Sequence, residues 1–282
     1  MTANDLKIRW KASACDPRIT QVRQHENGVV WLSFEPLDRL SWLMNAFSTR
    51  LGGVSEGFLG QMNLSFSRGD EESNVRENFE RFARAAGFKT EDIVMSDQTH
   101  TTNVRVVTRT DCGAGITRPK GWTDVDGFIT DEPGVVLSTY YADCVPLYIV
   151  DPVRKAIGLS HSGWKGTAGR MGEVTVRAMT DTFGSNPSDL VAVIGPSICQ
   201  DCYEVGEDVA LRFPDDCLIL RGGGKYQLDL AEANFRILKE SGIRPDRIFK
   251  PEICTACNPG FLFSHRASRG RRGNLGAFLM IR

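Results

Sequence analysis

Between Asp124 and Gly166 three apolar runs rich in β-branched and aromatic residues, 135–141, 146–150 and 156–160, follow one another with only a few residues between them. A connection that returns parallel needs a dozen or more residues, usually a helix, so these runs are expected to be antiparallel neighbours. Similar runs recur at 29–34, 104–108, 127–130, 190–194, 217–220 and 278–281. Helices fall between them. Asn74 caps the first, with Glu77 three residues on; Val75, Phe79, Phe82, Ala83 and Ala86 make one apolar stripe, and Gly87 ends it. The second spans about Thr167 to Phe183, and the third starts at a cap on Asp229, carries Glu232 at the third position and stops at Gly242. Three or four helices among so many strands predict an α+β fold, a single domain built as a layered αββα-type sandwich with mixed and antiparallel sheets.

The 282 residues, 41% of them apolar, suffice for one sizeable core. No repeat or long linker divides them, and Gly222-Gly223-Gly224 marks a tight turn or mobile loop. Lys plus Arg (34) and Asp plus Glu (35) nearly cancel, with both signs spread along the chain, so nucleic acid is not an expected partner. The opening MTANDLKIRWKASACDPRIT lacks the apolar core of a signal sequence, and the apolar region 135–150 is broken by Asp143. A cytoplasmic protein with no membrane attachment is expected, in which the eight cysteines read as thiols, thiolates or metal ligands.

Two strand ends in the central segment carry groups of little use as packing: Ala142-Asp143-Cys144, and His161-Ser162-Gly163-Trp164-Lys165-Gly166. Upstream, Ser96-Asp97-Gln98-Thr99-His100 offers a second imidazole before another strand. Zn2+ accepts two nitrogens and one thiolate and leaves a fourth corner for water, the arrangement of catalytic sites. Metal-bound water is acidic enough to supply hydroxide near neutral pH. Separations of 44 and 17 positions match no local zinc motif, so Cys144 as an inert buried thiol and both histidines as hydrogen-bonded structural groups stay open on spacing alone.

Cys199-Gln-Asp-Cys202 and Cys254-Thr-Ala-Cys257 form a competing pattern, the two CxxC pairs of a structural zinc site. The 51 residues between them include a capped helix, which argues for structural thiols near the active rim instead. Thr49-Arg50-Leu51-Gly52-Gly53 and Gly195-Pro196-Ser197 could bind an anion, and Arg50 suits a phosphate because its planar fork makes paired hydrogen bonds. Neither turn matches a dinucleotide or nucleoside-triphosphate fingerprint. The basic cluster Arg266, Arg269, Arg271 and Arg272 reads as a solvated turn, although Arg266 follows an apolar strand and could point inward.

Taken together, the motifs resemble those of the bacterial laccase-domain (YfiH-like) proteins, long labelled multicopper polyphenol oxidoreductases and later described as purine nucleoside phosphorylases with adenosine deaminase activity. The resemblance runs from about Asn45 to the C-terminus. It rests on Phe47-Ser48-Thr49-Arg50-Leu51-Gly52-Gly53-Val54-Ser55, Asn63-Leu64, Gln98-Thr99-His100, Asp126-Gly127, Ala142-Asp143-Cys144, the HSGWKG run, Gly195-Pro196-Ser197-Ile198, Cys202-Tyr203-Glu204-Val205, Cys254-Thr255 and Phe263-Ser264. It implies that residues 41–282 form the catalytic domain with 1–40 as an extension packed on it, and that His100, Cys144 and His161 bind Zn2+. It also implies phosphorolysis of adenosine, inosine and S-methyl-5′-thioadenosine, with deamination of adenosine at the same site.

A purine nucleoside and phosphate are then the expected partners of a monomer or weak dimer. Arg50 is the candidate for phosphate, and Asn63, Gln98 and Tyr203 are candidate substrate contacts. The chain departs from the family at Asn45, where histidine is frequent, at His265, which replaces an aromatic, and at Asn274, where arginine is common. One competing function is a metal-free cysteine hydrolase acting on a cell-wall precursor amide, with Cys144 as nucleophile and a histidine as base. Another is a copper polyphenol oxidase, but the chain has only four histidines for copper, which favours imidazole. Adventitious Cu2+ at the zinc site could give weak oxidation.

Overall fold

In the computed structural model, which describes residues 7–11 and 18–282, the strands form two six-stranded sheets and a small third one. The first sheet runs β1 (Thr20–Gln24), β2 (Val30–Phe34), β3 (Leu43–Ser48), β15 (Leu275–Ile281), β7 (Val136–Tyr141), β4 (Ile93–Met95). The second runs β14 (Ile248–Phe249), β10 (Val191–Ile194), β8 (Val145–Asp151), β9 (Ala156–Ser162), β6 (Gly127–Thr130), β5 (Val104–Val106). The third orders β11 (Glu204–Gly206), β13 (Lys225–Leu228) and β12 (Leu218–Gly222).

Period-2 alternation decides the layers. On β15, Ala277, Leu279 and Ile281 face a core shared with the second sheet, while Phe278 and Met280 face the opposite way. On β8, Tyr148 and Val150 enter the same shared core, and Leu147 and Ile149 turn outward. Helix α2 (Glu72–Ala86) covers the outer face of the first sheet with Val75, Phe79 and Phe82. Helices α4 (Met171–Phe183) and α6 (Leu230–Glu240) cover the second with Val176, Met179, Leu230 and Leu238. The molecule is therefore the expected α+β sandwich with layers α, β, β, α. Tyr148 and Tyr141 stitch its two sheets, their hydroxyls donating to the Ala46 carbonyl (2.8 Å) and the Ser160 carbonyl (3.1 Å).

Three local expectations are corrected. Runs 146–150 and 156–160 do pair antiparallel as β8 and β9, but 135–141 becomes β7 of the other sheet. A run buried on both faces reads alike in either layer, so the crossing at Ala142-Asp143-Cys144 was not visible in the sequence. Helix α2 starts at Glu72, ahead of Asn74, whose side chain donates to Asp70 Oδ1 (3.4 Å). Acidic residues in a first turn suit the helix dipole, which favours this earlier start. The helix expected over Thr167 to Phe183 is divided into α3 (Trp164–Ala168) and α4 by Gly169 and Arg170, the latter at φ 60°. A side chain on Gly169 would lie 2.8 Å from Thr102 Cγ2, so the break admits the loop that carries His100. The Asp229 cap is present, accepting from Glu232 N at 2.9 Å, and Gly222, Gly223 and Gly224 all take positive φ in the turn between β12 and β13.

The remaining helices are short: α1 (Glu35–Asp38), α5 (Glu207–Ala210) and α7 (His265–Ser268). Among the described residues no helix is long and apolar enough to cross a membrane.

Candidate metal centre and its cleft

The rim where the chain leaves β7 for β8 meets the end of β9 and the loop before β5, and there Cys144, His161 and His100 converge. One donor atom from each lies within 4.8 Å of the others, so the group could hold a metal ion. Cys144 Sγ is 3.9 Å from His100 Nε2, and the two imidazoles meet edge to face with centroids 4.9 Å apart.

A single carboxylate sets two of the three donors. Asp126, fully buried ahead of β6, accepts from His161 Nδ1 at 2.8 Å, which leaves His161 Nε2 as the ring nitrogen available to an ion. Asp126 also accepts from the backbone N–H groups of Thr99 (3.1 Å), His100 (3.1 Å) and Thr101 (2.9 Å) and from the Thr101 hydroxyl (2.9 Å). These bonds fasten the loop in which His100 takes φ 67°, a left-handed conformation that needs such support. Burial alone would raise the Asp126 carboxyl, but its bond to His161 and the loop N–H groups bring it down to about 2.

Burial would likewise raise the Cys144 thiol, yet His161 and His100 outweigh it and bring the thiol down to about 6. Against its own burial, His161 is raised to about 9 by Cys144 and Asp126. The two shifts favour a thiolate on Cys144 beside a protonated His161, and a cation displacing that proton would meet a readily ionised thiol and a correctly oriented imidazole.

Gly163 explains part of the HSGWKG motif. Its φ of −75° suits any residue, but a Cβ there would lie 2.9 Å from Cys144 Sγ and 3.1 Å from His100 Cδ2. Gly163→Ala is therefore expected to fold and to bind zinc roughly tenfold more weakly. Competition with a chromophoric chelator measures this, and unchanged affinity would show that the two donors are not held as tightly as the packing indicates.

The three donors sit where two lobes of a cleft meet, with volumes of about 530 Å³ and 450 Å³, inside the range of roughly 300–1,000 Å³ usual for small-molecule sites. His100, Cys144, Arg68 and Arg272 line both lobes. Gln98 lines the first, although its amide already accepts from Ser96 and Tyr140 N and donates to Tyr140 O. Tyr203 lines the second, together with Trp164, Ile198 and Leu230.

Arg50 and Asn63 line neither lobe. The Arg50 guanidinium donates to the carbonyls of Gly60 (2.9 and 2.6 Å) and Pro259 (2.6 Å) and lies over the Phe263 ring, so its fork braces loops. The buried Asn63 amide donates to Ser65 O and Asp70 Oδ2 and accepts from Asn274 N. Of the departures from the family, Asn45 is committed to Phe34 N and Asp38 inside the first sheet, whereas His265 and Asn274 line the cleft.

One of the basic groups on the cleft, Arg272, belongs to the cluster expected to form a solvated turn. Arg272 is 8% exposed, and its Nε has no hydrogen-bond partner among the described residues. Burial, helped by the charge of Arg68, lowers its guanidinium to about 10 against the opposing pull of Asp143 and Cys144. Asp126 enters the motif resemblance without a role of its own. An acid directly ahead of the strand Gly127-Phe128-Ile129-Thr130 was the available signal for a buried role.

A profile of the family described as "Multi-copper polyphenol oxidoreductase laccase" matches residues 44–282. The purine nucleoside phosphorylase YlmD of Bacillus subtilis (strain 168) is 37% identical over 240 residues, covering 83% of this chain and 86% of its own. The adenosine deaminase RL5, from an unknown prokaryotic organism, is 32% identical over 232 residues, 79% of this chain and 88% of its own. The crystal structure of YlmD from Geobacillus stearothermophilus matches the fold with a TM-score of 0.86 at 34% identity, covering 94% of this chain and 100% of that one. With its motifs, its layers and its sequence in agreement, this chain belongs to the multi-copper polyphenol oxidoreductase laccase family, whose relatives include enzymes named for purine nucleoside chemistry.

Proposed function

We propose that this chain is a zinc-dependent purine nucleoside phosphorylase that accepts adenosine, inosine and S-methyl-5′-thioadenosine and also deaminates adenosine. The observation that carries the reading is the convergence of His100, Cys144 and His161 on a cleft whose walls also present the buried Arg272. The donor set fits zinc: two imidazoles and a thiolate of lowered pKa, one imidazole fixed by a carboxylate. Copper has less support, since among the described residues only His100 and His161 of the four histidines join a metal-capable group. Zinc held there would supply a Lewis acid and a water of lowered pKa.

The remaining work falls to the chain itself. Phosphorolysis needs a cationic cradle for phosphate, and Arg272 with Arg68 offers it between the lobes. Trp164 and Tyr203 offer flat faces to a purine ring in the second lobe. Asp126 holds the tautomer of the buried His161, while the half-buried Cys144 and the exposed His100 open onto the cleft. Deamination uses the same donors and needs no phosphate.

That difference gives a prediction. Arg272→Gln is expected to raise KM for phosphate about tenfold or more, the loss of one charge-assisted bond of about 1.5 kcal/mol. Its deamination of adenosine without phosphate should stay near the wild-type rate. Steady-state kinetics of both reactions check this, and an equal loss in both would remove Arg272 from the phosphate site.

Product analysis of adenosine incubated with and without phosphate tests the whole proposal. Adenine plus ribose 1-phosphate in the first case and inosine in the second are expected; recovery of unreacted adenosine in both would overturn it. The thiolate and imidazolium pairing of Cys144 and His161 also suits a cysteine hydrolase. That activity would survive chelation and be lost on alkylation of Cys144.

A further inference from the structure

Strands β10 and β14 are parallel neighbours, with Ala192 opposite Ile248 and Val193 opposite Phe249. Parallel strands deliver their following loops to the same edge of a sheet. Each of these two loops carries one CxxC pair, so the 51 intervening residues, which include β11 to β13 and α6, are a crossover that brings the second pair back beside the first. The sequence separation that argued against a shared site thus has a topological explanation.

The loops are fastened to each other at the cysteines. Ser197 and Cys254 form a parallel bridge, Thr255 N donates to Ser197 O at 3.1 Å, and Cys199 N donates to Cys254 Sγ at 3.2 Å. Backbone N–H donation to a thiolate is a stabilising feature of sulfur-rich metal sites, because it offsets the accumulated negative charge. One Sγ from each of Cys199, Cys202, Cys254 and Cys257 lies within 4.8 Å of the other three.

We infer that Cys199, Cys202, Cys254 and Cys257 form a closed tetrathiolate site for one zinc-class ion, separate from the catalytic donors. A tetrahedral ion at about 2.3 Å from each thiolate holds neighbouring sulfurs roughly 3.8 Å apart. Cys199 and Cys257 are 3.9 Å apart here, and Cys202 and Cys257 are 3.5 Å apart. A disulfide would bring its sulfurs to about 2.0 Å, and all four residues are free thiols. Sulfurs this close cannot surround a multi-iron cluster, so a single ion is the occupant. With four protein ligands no coordination position remains for substrate, which makes the site structural.

Its position gives it a task. Asp143, next to Cys144, accepts from Thr255 Oγ1 at 2.6 Å and from Arg266 N at 2.9 Å, and its carbonyl accepts from Ile198 N at 3.1 Å. The ion would lock the two loops that clamp the backbone of Cys144 and would hold Tyr203, the residue after Cys202, on the cleft wall.

Metal content of the full-length protein tests the inference, with Cys144→Ser used to empty the catalytic site. Wild type should retain two zinc ions per chain after gel filtration with an equimolar chelator, and Cys144→Ser one. Cys202→Ser/Cys257→Ser should lose the other ion, which the unmodified wild type checks independently should that variant not fold: its four clustered cysteines should resist alkylation until the metal is removed. Cobalt loaded into Cys144→Ser should show the intense visible absorption of a tetrathiolate centre. Absence of metal from Cys144→Ser with the four cysteines alkylated at once, or a disulfide between Cys202 and Cys257 in reduced protein, would overturn the inference. Either result would leave the catalytic proposal standing, since adenosine turnover by the wild type is measured separately.

Discussion

Cys144→Ser is expected to lower kcat/KM for adenosine phosphorolysis by roughly 10³-fold or more, with KM changed far less, because the proposed function makes this thiolate one of the three donors to the metal. A serine hydroxyl is a poor match for the thiolate that His161 and His100 bring down to about 6. It would remain protonated beside His161 and compete badly for an ion. Deamination should fall with phosphorolysis, since the proposed function assigns both to the same three donors. Kinetics paired with metal analysis check this, and a variant that stayed within about tenfold of wild type in both reactions would show that the thiolate is not required.

Asp126→Asn should have the second largest effect, although Asp126 lines neither lobe of the cleft. The carboxylate accepts five hydrogen bonds, from His161 Nδ1, three successive loop amides and the Thr101 hydroxyl. An asparagine would turn an NH2 group toward some of these donors, and the His161 tautomer and the His100 loop would lose their common anchor. Zinc affinity is expected to fall roughly 100-fold, with activity recovered in part at high zinc, a rescue that a merely misfolded variant would not show.

The same carboxylate gives a pH dependence. Folding depresses Asp126 from 3.8 to about 2, against the upward effect of burial. A carboxyl depressed in this way contributes stability that is fully present above its unfolded pKa and is lost as pH falls through the folded one. Metal-free wild type should therefore lose on the order of 2 kcal/mol through this group between about pH 4 and pH 2. Urea titrations across that window should show Asp126→Asn lacking this part of the loss. An identical acid dependence in the two proteins would mean that the carboxylate is not held by the bonds described.

What could be read from the chain followed the range of the interactions that decide it. The β8–β9 hairpin, the α2 stripe and the Asp229 cap depend on neighbours a few residues away, and they were legible in short connection length, 3.6-residue spacing and capping chemistry. The placement of β7 was not, because its residues are buried on both faces and suit either sheet. Nor was the pairing of β15 with both β3 and β7, which joins segments from opposite ends of the chain.

At the site, His100, Cys144 and His161 stood out because their chemistry is wasted in a core, and the motif resemblance grouped them. The roles of arginines were misplaced for a physical reason. Arg50 sits in a glycine-rich turn that looks built for an anion, but local carbonyls absorb its fork. Arg272 sits among exposed arginines, and only tertiary packing shows that it is buried against the cleft with an unpartnered Nε. The CxxC pairs were discounted on sequence distance, which the parallel pairing of β10 and β14 cancels.

The proposed nucleoside cleavage depends on a zinc ion held by His100, Cys144 and His161. The most direct measurement is adenosine turnover in phosphate by one preparation assayed as purified, after chelator treatment and dialysis, and after return of stoichiometric zinc. Adenine and ribose 1-phosphate should form in the first state, cease in the second and return in the third. Undiminished product formation by the stripped protein would contradict the account.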